Sequence, residues 1–180
     1  MRAIIIHGWG GSPLINWMPW LAKELRAKGF DVIAPQMPNT EAPEIQHWVE
    51  ALSKTVEESE EETVLIGHSI GCQTIIRYLA SSEKKVKGVL FVAGWFTLKD
   101  IHDPQETEIA KPWVETPIEI DKFKQNAGKV ISIFSDDDPY VNEENWKRFE
   151  EFGNIIVLDK KGHIDDPQPE ILESALELLK

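Results

Sequence analysis

The sequence predicts an α/β protein built on a mostly parallel six-stranded sheet with helices on both faces. Three observations carry that expectation. Short aliphatic runs recur along the chain and alternate with segments whose apolar residues fall at helical spacing, the pattern of βαβ units. The runs are continuous, as in Ala3-Ile4-Ile5-Ile6, which suits strands buried on both faces. One run ends in Gly67-His68-Ser69-Ile70-Gly71, a strand, a sharp turn and a helix with a serine at the apex.

Taken in order, Ala3-Ile6 is the first strand and stops at the glycine-rich turn His7-Gly8-Trp9-Gly10-Gly11-Ser12-Pro13. Asn16 to Lys28 carries Trp17, Trp20, Leu21 and Leu25 at helical spacing, and Gly29 closes it as a residue free to turn left-handed. Phe30 to Ala34 is the second strand, stopped by Pro35. After a loop from Gln36 to Ala42, Pro43 opens a helix to about Glu57, with Ile45, Trp48, Val49, Leu52 and Val56 as its buried stripe. The acidic run Glu57 to Glu62 reads as solvated loop and helix end rather than a docking patch. Thr63 to Gly67 is the third strand and Cys72 to Ala80 the helix after the turn. Lys87-Ala93, Val130-Phe134 and Asn154-Leu158 complete the strands. Glu143-Phe152 and Glu170-Leu179 are further helices. Gly94 to Gly128 breaks the alternation. It holds Trp95, Phe96, Pro104, Pro112, Trp113 and Pro117, and only about Ile118 to Asn126 looks helical. Such a long connection is usually functional or mobile. It leaves the same sheet edge as the serine turn, so it reads as a small cap or rim inside one domain spanning 1–180.

Composition narrows the function. The net charge of −12 and pI near 4.9 argue against nucleic acid or an anionic membrane as the main partner. The single cysteine, Cys72, excludes an internal disulfide and a multi-cysteine metal site. It reads as a buried structural residue. The first apolar run is too short for a secretion signal and no run approaches the roughly 20 residues of a membrane span. The expected location is cytoplasmic.

The chemistry centres on Ser69. Gly67 and Gly71 let the turn close tightly, and the serine sits strained at a helix N-terminus, where N–H groups favour developing negative charge. A hydroxyl needs a base, and the base needs a carboxylate to fix its tautomer. His163, in a loop after the sixth strand, is the candidate base. His47 reads as a surface residue and His102 lies in the irregular segment. His68 is expected to point away from the nucleophile, and His7 to brace its loop. Ser135-Asp136-Asp137-Asp138-Pro139-Tyr140-Val141 follows the fifth strand. Asp138 is the favoured carboxylate, Asp137 the runner-up and Asp136 a turn residue. Clustered carboxylates are expected to raise one another's pKa. Backbone N–H groups of Ile70 and Trp9 are the expected oxyanion donors. Trp9, Trp95, Phe96 and Trp113 are candidates to line the substrate pocket. The first glycine loop does not fit a dinucleotide fingerprint, since Pro13 stands at the third glycine position and no acidic residue ends the second strand.

With the His7-Gly11 loop, Gln36-Met37-Pro38-Asn39, Gly67-Gly71, Lys111-Pro112-Trp113, Ser135-Pro139 and Gly162-His163, the chain resembles, over essentially its full length, the serine hydrolase family of retinoblastoma-binding protein 9 and the YdeN-like proteins. The resemblance implies an α/β-hydrolase fold with a minimal cap and a six-stranded parallel sheet in the chain order 2-1-3-4-5-6. It implies a triad at Ser69, Asp138 and His163. The Leu-x-Cys-x-Glu segment proposed to contact the retinoblastoma protein is absent here, so that partner is not implied. The expected function is cleavage of small esters, thioesters or amide-like substrates through an acyl-enzyme, with no metal or organic cofactor. The expected state is a monomer or weak homodimer. The competing expectation is a catalytically idle scaffold that binds protein.

Overall fold

The computed structural model describes residues 1–56, 62–99 and 101–180. Most of the acidic run before the third strand therefore lies outside the described residues. The aliphatic runs form strands β1 (Arg2–Ile6), β2 (Asp31–Ile33), β3 (Thr63–His68), β4 (Gly88–Val92), β5 (Lys129–Ser135) and β6 (Asn154–Leu158). All pairings are parallel, and the sheet order is β2-β1-β3-β4-β5-β6. The helices are α1 (Met18–Ala27), α2 (Ile45–Val56), α3 (Ile70–Ser81), α4 (Pro104–Glu115), α5 (Ile120–Asn126), α6 (Glu143–Glu150) and α7 (Pro169–Leu179).

Strand side chains alternate between two cores. Ile4, Ile6, Leu65, Val89 and Phe91 pack with Trp48, Ile75, Phe123 and Phe149 from α2, α3, α5 and α6. Ile5, Val64, Ile66, Leu90 and Val92 pack on the other face with Leu21 and Leu25 of α1 and Ile171 and Leu178 of α7. A strand buried on both faces has no polar side to show, which explains the unbroken aliphatic runs. Among the described residues no helix is long and apolar enough to cross a membrane.

One helix was not legible in the sequence. The stretch expected to be irregular contains α4, with Pro112 inside it. The helix is started by Asp103, whose carboxylate accepts the Gln105 and Glu106 N–H groups at 2.7 and 3.2 Å, followed by Pro104 at the first position. Tertiary packing carries the rest. Ala110 and Trp113 are buried, and the Trp113 indole donates to the Pro43 carbonyl at 2.9 Å. An internal proline normally kinks or breaks a helix, because it lacks the N–H of its own turn; Pro112 falls in the last turn of α4, which runs on to Glu115.

Sheet order reverses between β1 and β3. Loops leaving the carboxyl ends of strands diverge at such a switch point and leave a crevice. The loop after β1 and the turn after β3 meet there.

Candidate active site

The turn after β3 is as tight as its glycines require. A Cβ on Gly71 would lie 2.5 Å from the Ile6 carbonyl oxygen, and one on Gly67 would lie 2.8 Å from the Cys72 nitrogen. Ser69 takes φ 54° and ψ −121°, a costly conformation for a residue with a side chain. Its N–H donates to the Val92 carbonyl at 2.9 Å, fixing the turn to β4. Ser69 is almost buried and sits at a cavity of about 360 Å³, small-molecule size.

Ser135 at the end of β5 and the three residues after it hold four successive residues after β6. The Asp136 carboxylate accepts the Lys160 N–H at 2.8 Å. The Ser135 hydroxyl oxygen accepts the Lys161 N–H at 2.8 Å. Asp137 accepts the Gly162 N–H at 2.7 Å and the Ser135 hydroxyl at 2.8 Å. Asp138 Oδ2 accepts the His163 Nδ1–H at 2.8 Å. Asp138 is buried, and its other oxygen accepts the Tyr140 and Val141 N–H groups at 2.8 and 3.0 Å. With Nδ1 committed as donor, the neutral His163 ring leaves Nε2 as its basic atom. The expectation of mutually raised carboxyl pKa values is corrected for Asp137. The Gly162 N–H, and then the Ser135 hydroxyl, hold it below its ordinary range, because hydrogen bonds to the ionised form outweigh the opposing effect of desolvation.

The loop after β1 lies directly on the serine turn. A Cβ on Gly8 would stand 3.2 Å from His68 Nδ1 and 3.4 Å from Ser69 Cβ. His7 braces this loop, donating from Nδ1 to the Gly8 carbonyl at 2.8 Å and accepting the Met37 N–H on Nε2 at 3.0 Å. Burial lowers its pKa, in keeping with an unprotonated Nε2. Trp9 lines the cavity and its indole donates to the Glu41 carbonyl at 3.0 Å. Ile70 opens α3, so its N–H has no acceptor within the helix.

Of the four aromatic pocket candidates, Trp9 and Trp95 line the cavity. The Trp95 indole N–H points at Ser69 Oγ, 3.4 Å away. Phe96 and Trp113 do not line it. Phe96 packs on Phe149, beneath the Arg148 guanidinium 4.0 Å from its ring centre. Trp113 packs edge-on against Trp48. Both belong to the core under α3, because an aromatic residue in a loop does not reveal which way it faces. The lining that sequence reasoning missed includes Ile15, Leu98, Ile101, Tyr140 and the carboxylates of Glu41, Glu106 and Asp165. For all but Glu106, which sits in the first turn of α4, only their positions in connections that leave the carboxyl ends of strands hinted at them.

Cys72 is buried, donates to the Gly67 carbonyl at 3.2 Å, and has its thiol pKa pushed up by burial. His68 is also buried. It stands in the wall of the cavity beside Ser69, and its Nε2–H donates to the backbone carbonyl of His163 at 2.9 Å.

A parallel sheet in this order, with a strained serine after β3, an aspartate after β5 and a histidine after β6, defines an α/β-hydrolase. The family model described as serine hydrolase matches residues 3–169, and the chain belongs to that family; it is a hydrolase. Serine hydrolase RBBP9 of Rattus norvegicus is 29% identical over 175 residues, covering 93% of this chain and 89% of that one. The hydrolase YdeN of Bacillus subtilis is 37% identical over 96 residues, about half of each chain. In structure, YdeN superposes with a TM-score of 0.87 at 24% identity, covering 98% of this chain and 97% of its own. A monoacylglycerol lipase from Paleococcus ferrophilus shares the fold, with a TM-score of 0.76 at 17% identity, covering 99% of this chain and 93% of its own.

Proposed function

We propose that the chain cleaves small carboxylic esters, and by the same route thioesters or amides, through an acyl-enzyme on Ser69. His163 Nε2 takes the Ser69 proton as Oγ bonds to the substrate carbonyl carbon. The oxyanion receives the Trp9 and Ile70 N–H groups. The protonated His163 then gives its proton to the leaving oxygen, sulfur or nitrogen, and the acyl group stays on Oγ. Water repeats the sequence, losing a proton to His163 as it attacks and releasing the acid. Asp138 keeps the Nδ1–H tautomer and stabilises the imidazolium.

The observation that carries this reading is the His163–Asp138 hydrogen bond, made by a buried carboxylate at the cavity that holds the strained Ser69. The cavity of about 360 Å³ favours a small substrate over a polymer. Among the described residues Ser69 Oγ is hydrogen-bonded to Trp95 and not to His163, which fits a free enzyme whose catalytic hydrogen bond tightens on substrate binding. The test is labelling by a fluorophosphonate and turnover of p-nitrophenyl acetate. Wild type is expected to do both and Ser69→Ala neither. A wild type inert in both assays would leave the idle protein-binding scaffold as the better account.

A further inference from the structure

His68 occupies a position that the proposed mechanism does not use. We infer that His68 is a positioning residue, whose Nε2–H holds the His163 backbone carbonyl and so fixes the base against the nucleophile next to it in the chain. The inference rests on the hydrolase reading above.

The loop carrying His163 has little reason of its own to hold its shape. Gly162 and Ile164, on either side of the base, have φ of 55° and 54°. The second is β-branched, for which this region is an outlier. Such conformations persist only where the surroundings over-determine them. On the amino side, the 135–138 loop takes the N–H groups of residues 160 to 162. At His163 itself the carbonyl goes to His68. The route from nucleophile to base is therefore one peptide bond, one ring and one hydrogen bond.

A carbonyl accepts only, so His68 must carry its proton on Nε2. Nδ1 is then a lone pair, and it is buried with no hydrogen-bond partner. Orphaned buried polar atoms are uncommon in native folds. A ring that served packing alone has no need of this one. The ring is clasped edge-on by Trp17, with centroids 5.8 Å apart, and lies 5.1 Å from the His163 ring. Burial, and then the nearness of His163, lowers its pKa to about 3, so it donates without placing a positive charge beside the base. A lysine or arginine donor would oppose protonation of His163 during turnover.

The test compares His68→Phe, which keeps an aromatic ring and loses the N–H, with His68→Gln, whose amide N–H replaces Nε2–H. Both are assayed with p-nitrophenyl acetate and a fluorophosphonate. His68→Phe is expected to lose about 10- to 100-fold in kcat, the scale of a small displacement of a catalytic group. KM should stay within about twofold, since the phenyl ring fills nearly the same place in the cavity wall, and His68→Gln should recover most of the rate. In parallel, nitrogen-15 spectra of wild type between pH 5 and 8 should show a neutral His68 protonated on Nε2. That measurement decides the matter even where His68→Phe fails to fold. A charged ring, or one protonated on Nδ1, overturns the inference. So does a His68→Phe variant that turns over like wild type, or a folded His68→Gln variant as slow as His68→Phe. Wild type that resists the fluorophosphonate overturns the proposed acyl-enzyme reading and this inference with it. Wild-type labelling alongside unchanged variant kinetics overturns the inference alone.

Discussion

Mild acid should destabilise this fold through His68, and the size of the effect follows from its burial. The ring has a folded pKa of about 3 against an ordinary value of 6.5. Between those values the unfolded chain binds a proton that the native chain refuses. Stability therefore falls as pH drops from about 6.5 toward 3 and is fully retained above 6.5. At pH 4.5, two pH units below the unfolded value, the cost is about 2.7 kcal/mol at ~1.36 kcal/mol per pH unit. For a domain of this size that corresponds to about 5–10 °C in Tm. His68→Gln removes the titrating ring while leaving every other acid-sensitive group in place. Thermal unfolding of both proteins at pH 7 and pH 4.5 gives two drops in Tm, and the variant's should be smaller by about that amount. Equal drops in the two proteins would refute the reasoning, because they would mean the native ring takes up a proton as freely as the unfolded one.

Asp138→Asn should keep the fold and KM while kcat falls by about 10³–10⁴-fold, as expected when the base loses its tautomer partner; a loss under tenfold would point to Asp137 as the true orienter. Gly71→Ala should lower the urea midpoint by the equivalent of about 1–3 kcal/mol, since the new methyl would sit 2.5 Å from the Ile6 carbonyl oxygen; an unchanged midpoint would show that the turn has slack.

Much of the fold was legible because buried parallel strands write themselves as unbroken aliphatic runs. The stretches around Ile5, Leu65, Leu90 and Ile133 could be read no other way. The triad candidates were legible because each stands at a fixed place after a strand. What stayed hidden depended on contacts far apart in sequence. The helix around Trp113 is held by Pro43, 70 residues away, and local propensity at Pro112 argued against it. Phe96 and Trp113 looked like pocket residues until packing showed them turned inward. The Asp137 carboxyl is governed by Gly162, 25 residues on, not by the aspartates beside it. His68 bonds to a carbonyl 95 residues away, a relation that no spacing encodes.

Sheet order and chain order together set a schedule for synthesis. A chain is made from its amino end, and its early elements begin to associate first. β3, which ends just before Ser69, and β1, whose following loop carries Trp9, are neighbours near the centre of the sheet, while β6, which precedes His163, is the last strand and pairs only with β5. A growing chain thus makes its serine turn long before it makes the base proposed for it. Under the proposed mechanism, reactivity toward an acyl donor would arise only when β6 docks, so the nascent protein, and a chain cut short before β6, would be chemically silent.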